Sequence, residues 1–133
     1  MIPIKVVWST FPVTVPGIRR SDYQKEIAFQ VWCADYLRKR FAVTGDRRYS
    51  HWHHSANERE GARAGLLCKL MGQSKGFPDL INLELRLAIE LKVPCGKASK
   101  EQELWGEYLK AIGWQWHVIR TTAEFIRVLD DSI

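Results

Sequence analysis

The chain has 133 residues, 46% apolar and 26% charged, the make-up of one ordinary globular domain and not of a disordered chain. No stretch approaches the ~18 consecutive apolar residues of a membrane span, and the first residues lack the pattern of a secretory leader, so a cytoplasmic protein is expected. Twenty Lys and Arg oppose fifteen Asp and Glu, and the excess is local: residues 19–75 hold twelve basic and six acidic side chains, the remainder eight and nine. Such a field suits a polyanion, because each neutralised phosphate releases counterions, although a solvated basic surface has the same composition. Cys33, Cys68 and Cys95 are widely spaced with no C-x-x-C pair, which reads as buried free thiols in a reducing compartment.

Residues 1–18 form a proline-punctuated, β-branched arm. Ser21-Asp22-Tyr23-Gln24 is a capping box, and the apolar spacing of Tyr23, Ile27, Val31, Ala34 and Phe41 predicts a helix to about Arg40, with Lys39 and Arg40 favoured by the macrodipole of its last turn. Arg47 to His54 reads as a short strand. Ser55-Ala56-Asn57-Glu58 caps a second helix with Leu66, Leu67, Leu70 and Met71 on its apolar face and Gly72 as its stop. Two strands follow, Asp79–Leu83 and Leu85–Val93, with a tight connection at Glu84. Ser99-Lys100-Glu101-Gln102 caps a third helix that turns Leu104, Trp105, Tyr108, Leu109 and Ile112 inward and stops at Gly113. A strand over Trp114–Arg120 and a last short helix capped at Thr121, carrying Phe125, Ile126 and Leu129, complete the chain. A mixed central β-sheet flanked by α-helices is the natural α/β packing for this order, in a single domain spanning 1–133.

The chemistry concentrates in Pro78-Asp79 and Glu90-Leu91-Lys92. On a strand, Glu90 and Lys92 share one face, and two charges in an otherwise apolar strand are expensive to desolvate. A salt bridge between them is one reading. The other brings Asp79, at the start of the preceding strand, beside Glu90, where two carboxylates repel unless a hard cation such as Mg²⁺ or Mn²⁺ lies between them. A lysine there would position a water or stabilise phosphorane charge.

This pattern resembles the PD-(D/E)xK nuclease superfamily. The wider string Asn57-Glu58, Met71-Gly72, Gly76-Phe77-Pro78-Asp79-Leu80, Ile89-Glu90-Leu91-Lys92, Gly96, Ser99 and Gln102 is similar to the VRR-NUC family, in the stand-alone form found in bacteriophages, over about residues 21–128. The resemblance implies a restriction-endonuclease-like core and a Mg²⁺-dependent DNA endonuclease in which Mn²⁺ can substitute. It implies metal binding by Asp79, Glu90 and the Leu91 carbonyl, catalysis by Lys92, and a Gln102 aimed at the metal water or phosphate. Gln102 is also the N3 residue of a capping box, and the two roles compete. Family members place a further glutamate on the first helix; Glu26 is the candidate, with a solvated helix carboxylate as the alternative. Phe77 stands where smaller residues are common, and the Asn57 neighbourhood lacks the frequent preceding proline. The resemblance further implies a homodimer acting on branched DNA such as four-way (Holliday) junctions; a nickase or flap nuclease, a non-catalytic DNA-binding module and a protein-docking module are the alternatives. His51, His53 and His54 offer a zinc site without cysteines at ligand spacing, or, with Arg47, Arg48 and Arg59, a phosphate-facing surface. The six tryptophans offer stacking on splayed bases, with Trp105 reading instead as core.

Overall fold

Four strands pair into one mixed sheet in chain order: β1 (His53–His54), β2 (Leu80–Asn82), β3 (Leu87–Leu91) and β4 (Gln115–Ile119). The computed structural model describes residues 26–55, 70, 72, 75–94 and 96–133. The N-terminal arm, the Ser21 capping box, Leu66, Leu67, Met71, Cys68 and Cys95 lie outside the described residues. The remaining elements are the helices α1 (Glu26–Thr44), α2 (Lys100–Ala111) and α3 (Thr122–Ser132) and a 3-10 turn, Arg47–Tyr49. This is the α/β architecture expected from the order of the segments.

β1 pairs antiparallel with β2, and β2 antiparallel with β3, in the registers His54 opposite Leu80 and Leu80 opposite Ile89. The β2–β3 connection is held by the buried Asn82, whose Oδ1 accepts from the Leu85 N–H at 3.0 Å, and by Arg86 in a left-handed conformation (φ 50°). β4 runs parallel to β3. Gln115 N–H donates to the Arg86 carbonyl at the start of both strands, and Lys92 N–H donates to the Ile119 carbonyl at their ends, each at 2.9 Å. A parallel pair needs a long crossover, which α2 supplies. All five residues of β3 are buried, as expected of a strand covered on both faces.

The chain divides into two compact units. One comprises the described residues through His51, Leu91–Gly96 and Ile119–Ile133. Its core sets Trp32 and Tyr36 of α1, stacked at 5.4 Å, edge-on against Phe125 of α3 at 6.3 and 6.1 Å. Phe29, Cys33, Phe125 and Leu129 are fully buried there, each large apolar side chain contributing about 1.5–3 kcal/mol. The other unit, Trp52–Glu90 and Lys97–Val118, holds β1, β2, most of β3 and β4, and α2.

Several boundaries differ from the sequence reading. α1 continues past Arg40 to Thr44, and its stop is Gly45, left-handed at φ 68° with its N–H on the Phe41 carbonyl at 2.7 Å. Lys39 and Arg40 therefore sit outside the last turn. Arg47–Tyr49 is not strand: Asp46 caps it, accepting the Arg48 N–H, and Tyr49 is buried, leaving only His53–His54 extended. Leu70 is helical but 73% exposed, so it does not lie on a buried face. Along α2 the buried residues are Gln102, Gly106 and Leu109; of the inward set expected, Leu109 is buried and Trp105 half-buried, whereas Leu104, Tyr108 and the C-cap Ile112 are exposed. Gly106 admits this packing because the Trp116 indole of β4 occupies the space a Cβ would need. The remaining caps are as read: Ser99 on α2 with a reciprocal Gln102 bond, and Thr121 on α3 accepting from the Glu124 N–H.

Candidate active site

The register of β2 on β3 decides the geometry. Leu80 faces Ile89, and continuing that register by one residue brings Asp79, in the bend just before β2, beside Glu90 of β3. Directly opposed residues point to the same face, with Cβ atoms about 4.5–5.5 Å apart. Asp79 is 8% exposed and Glu90 1%, so both carboxyl groups lie in largely water-free positions. Two devices fix the Asp79 backbone. Its carbonyl accepts the Ser55 N–H at 2.9 Å and stands 3.0 Å from His54 Nδ1. The preceding loop presses onto the start of α2 at Gly76 (φ 83°), where a Cβ would lie 2.7 Å from the Glu101 backbone.

Gln102 resolves the competition between its two roles by filling both. Its Oε1 accepts the Ser99 N–H at 2.8 Å and so caps α2, while its Nε2 donates to Glu90 Oε1 at 2.7 Å. The amide has an acceptor end and a donor end, and each is used. Glu90 thus receives a buried hydrogen bond, and α2 is tied by its first turn to the Glu90 carboxyl group.

Leu91 is the last residue of β3, and its carbonyl is the expected third oxygen beside the pair. Lys92 follows it, half-buried, one strand alternation beyond Glu90. Glu26 is the first residue of α1, and its side chain lies outside the description. Sequence reasoning passed over Arg120, which donates from Nε to the Gly96 carbonyl at 3.1 Å and ties down the turn that follows Lys92. Its signal was a cation at the end of the strand parallel to the one carrying Lys92.

The histidines do not assemble into a metal site. His53 and His54 are exposed neighbours on β1 and so point to opposite faces, and His51 lies outside the strand. Among the described residues no cluster of three or more His, Cys, Asp or Glu side chains is placed to hold a metal. Arg48 is engaged by Asp46, its Nη2 2.6 Å from Oδ2.

The donor set at Asp79 and Glu90, two buried carboxylates on one sheet face, is oxygen-only and fits a hard divalent cation better than zinc or copper. The fold is α/β, with a mixed sheet whose β3 carries the buried Glu90. A solved structure described as a VRR_NUC domain protein is similar to this chain, with TM-score 0.65 and 27% identity over 81% of this chain and 87% of that one. No protein-family profile matches the chain. No curated protein matches it either. Among the described residues no helix is long and apolar enough to cross a membrane.

Proposed function

We propose that this chain is a VRR-NUC-type, PD-(D/E)xK nuclease that hydrolyses DNA phosphodiester bonds with the help of Mg²⁺, or Mn²⁺ in its place. The observation that carries the reading is the buried Glu90 of β3, bonded by Gln102, with the buried Asp79 just before β2 brought beside it by the register of Leu80 on Ile89. The similarity to a VRR_NUC domain protein supports the same conclusion. Asp79, Glu90 and the Leu91 carbonyl would hold the cation, and a bound cation would polarise the phosphate and lower the pKa of water. Gln102 orients Glu90, and Lys92 orients the attacking water or steadies the negative charge that develops on the phosphoryl oxygens. Water gives up a proton as its oxygen bonds to phosphorus, the bond from phosphorus to the departing deoxyribose oxygen breaks, and that oxygen takes up a proton as it leaves.

The substrate class we assign is branched DNA, four-way junctions included, cut by a two-fold dimer whose paired sites match the symmetry of the junction. The support is the basic bias of residues 19–75 and the symmetry argument.

The test is cleavage of labelled four-way junction, flap, nicked, duplex and single-stranded DNA with Mg²⁺, Mn²⁺ or EDTA, wild type beside Asp79→Asn and Lys92→Ala. Metal-dependent cutting that disappears in Asp79→Asn is the expected outcome. Lys92→Ala should cost about 10²–10³ in kcat with little change in DNA affinity, the usual loss for a preorganised electrostatic group. Cutting by Lys92→Ala at the wild-type rate would remove that residue from the mechanism. Tight binding without cutting anywhere would reduce the protein to a binding module. Paired cuts on the junction alone, from a dimer in sedimentation, would establish the junction reading.

A further inference from the structure

α2 turns its small residue inward and its large ones out. Leu104 and Tyr108 are 61% and 56% exposed, and with half-buried Trp105 they line an open groove completed by Lys75 and Glu101. The rings are organised: Phe77 meets Trp105 edge-to-face at 5.0 Å, and Trp105 meets Tyr108 edge-to-face at 5.8 Å. Edge-to-face contacts hold the rings at fixed angles while leaving aromatic surface to the solvent.

The position of this groove is informative. Phe77 precedes Asp79 by two residues, and Trp105 follows Gln102 by three on the same helix, about 4.5 Å of rise along its axis. Gln102 is the residue bonded to Glu90. The aromatic series therefore begins within one helical turn of Gln102 and runs along α2 to Tyr108. At the rim, Lys75 is 84% exposed, and its contact with Glu101 is long, 3.7 Å. A pair so exposed holds its partners weakly, leaving the amine able to reach a phosphate.

We infer that the Trp105–Tyr108 groove receives an unpaired nucleobase of the strand whose phosphate lies at Asp79 and Glu90. This deepens the nuclease reading and rests on it. An apolar, ring-lined groove with Lys75 and Glu101 at its rim matches a base, with Lys75 leaving Glu101 for the backbone phosphate, and every base offers a π-face for stacking. Bases inside a duplex have both faces occupied, so the groove favours DNA splayed open at the cleavage point. Stacking in it selects branched or frayed DNA without reading sequence.

The experiment uses the full chain in EDTA, so that no DNA is cut, and oligonucleotides carrying 2-aminopurine either unpaired at a fork or within a continuous duplex. Wild type should quench the unpaired probe and not the duplexed one. Tyr108→Ala should weaken binding of the forked DNA about 5- to 100-fold, the range of one lost stacking contact. Its affinity for duplex should be unchanged, and Leu104→Ala should have a smaller effect of the same kind. Both side chains are exposed, and a thermal melt matching wild type confirms that the variants are folded. Absence of quenching, or equal losses for forked and duplex DNA, would overturn the proposal. So would sedimentation in which Tyr108→Ala dissociates a dimer, since the groove would then hold a second copy of the chain. Quenching that depends on Tyr108 in a protein that cuts no DNA would uphold the groove and remove the nuclease reading. Metal-dependent cutting with no dependence on Tyr108 would do the opposite.

Discussion

The side-chain amide of Gln102 joins a structural device to a functional one, and the two can be separated. Ser99→Ala removes the capping hydroxyl that accepts the Gln102 N–H, and should cost about 1 kcal/mol of stability in a urea melt. It leaves the Gln102 amide on Glu90, so cleavage by the folded protein should stay near wild type. Gln102→Leu takes away the donor to Glu90, and the loss of a hydrogen bond to a buried charge, about 1.5–3 kcal/mol, should lower the cleavage rate on the order of 10- to 100-fold. Equal rates for the two variants would show that Gln102 matters to the helix alone. Asp46 gives a pH dependence of definite sign. The Arg48 guanidinium and N–H hold its carboxyl down to about 2 from an ordinary 3.8. The stability it contributes is therefore complete above pH 3.8 and is lost as pH falls toward about 2. Asp46→Asn should melt earlier than wild type at neutral pH, and the gap should close in that acid window. A gap that persists at pH 2 would mean that the ionised carboxylate is not what stabilises the turn.

At the scale of elements, α2 shows why a helix can expose its largest side chains. Its buried stripe runs through Gln102, Gly106 and Leu109, and the Trp116 indole fills the hollow at Gly106. Gly106→Ala should gain up to about 1 kcal/mol in helix propensity and still lose net stability, because overpacking costs about 1–3 kcal/mol. The urea midpoint should fall, and pairing the change with Trp116→Leu should give a combined loss smaller than the sum of the two. Strict additivity would mean that the indole does not occupy the glycine hollow. At the end of α1, Gly45 takes a left-handed conformation that satisfies a terminal carbonyl, a stronger stop than the dipole preference of Lys39 and Arg40, six and five residues earlier.

For the whole molecule, the charge asymmetry makes a prediction independent of catalysis. With a net charge of +5 and the excess in residues 19–75, DNA binding measured in EDTA should weaken steeply with salt. If about six phosphates are contacted, affinity should fall roughly 10³-fold between about 50 and 200 mM salt. Arg38→Ala, an exposed position on α1, should flatten the logarithmic salt slope by about 0.9 if it meets one phosphate. A slope near zero in the wild type would leave the basic excess as solvated surface.

The Ser99 and Thr121 caps, the Gly113 stop of α2 and the Asp79…Glu90 spacing were legible in the sequence because each depends on neighbours within a few residues or on the period of a strand. The mixed α/β architecture followed from the order of those segments. Short polar stretches were not legible: Arg47–Tyr49 became a 3-10 turn because Asp46 caps it and Tyr49 finds cover, facts no local pattern contains. Nor was the buried face of α2, since apolar periodicity identifies the large side chains of a helix but not a glycine that a distant indole selects. By itself the sequence determined the spacing of Asp79, Glu90 and Lys92 and the strand that carries Glu90. Only the tertiary structure decided that the register brings Asp79 beside Glu90, that one amide serves both the helix and the carboxylate, and that the aromatic side of α2 faces solvent. Those outcomes depend on register and on packing between distant segments, where the cost of burying a charge or fitting a ring is set by partners far away in the chain.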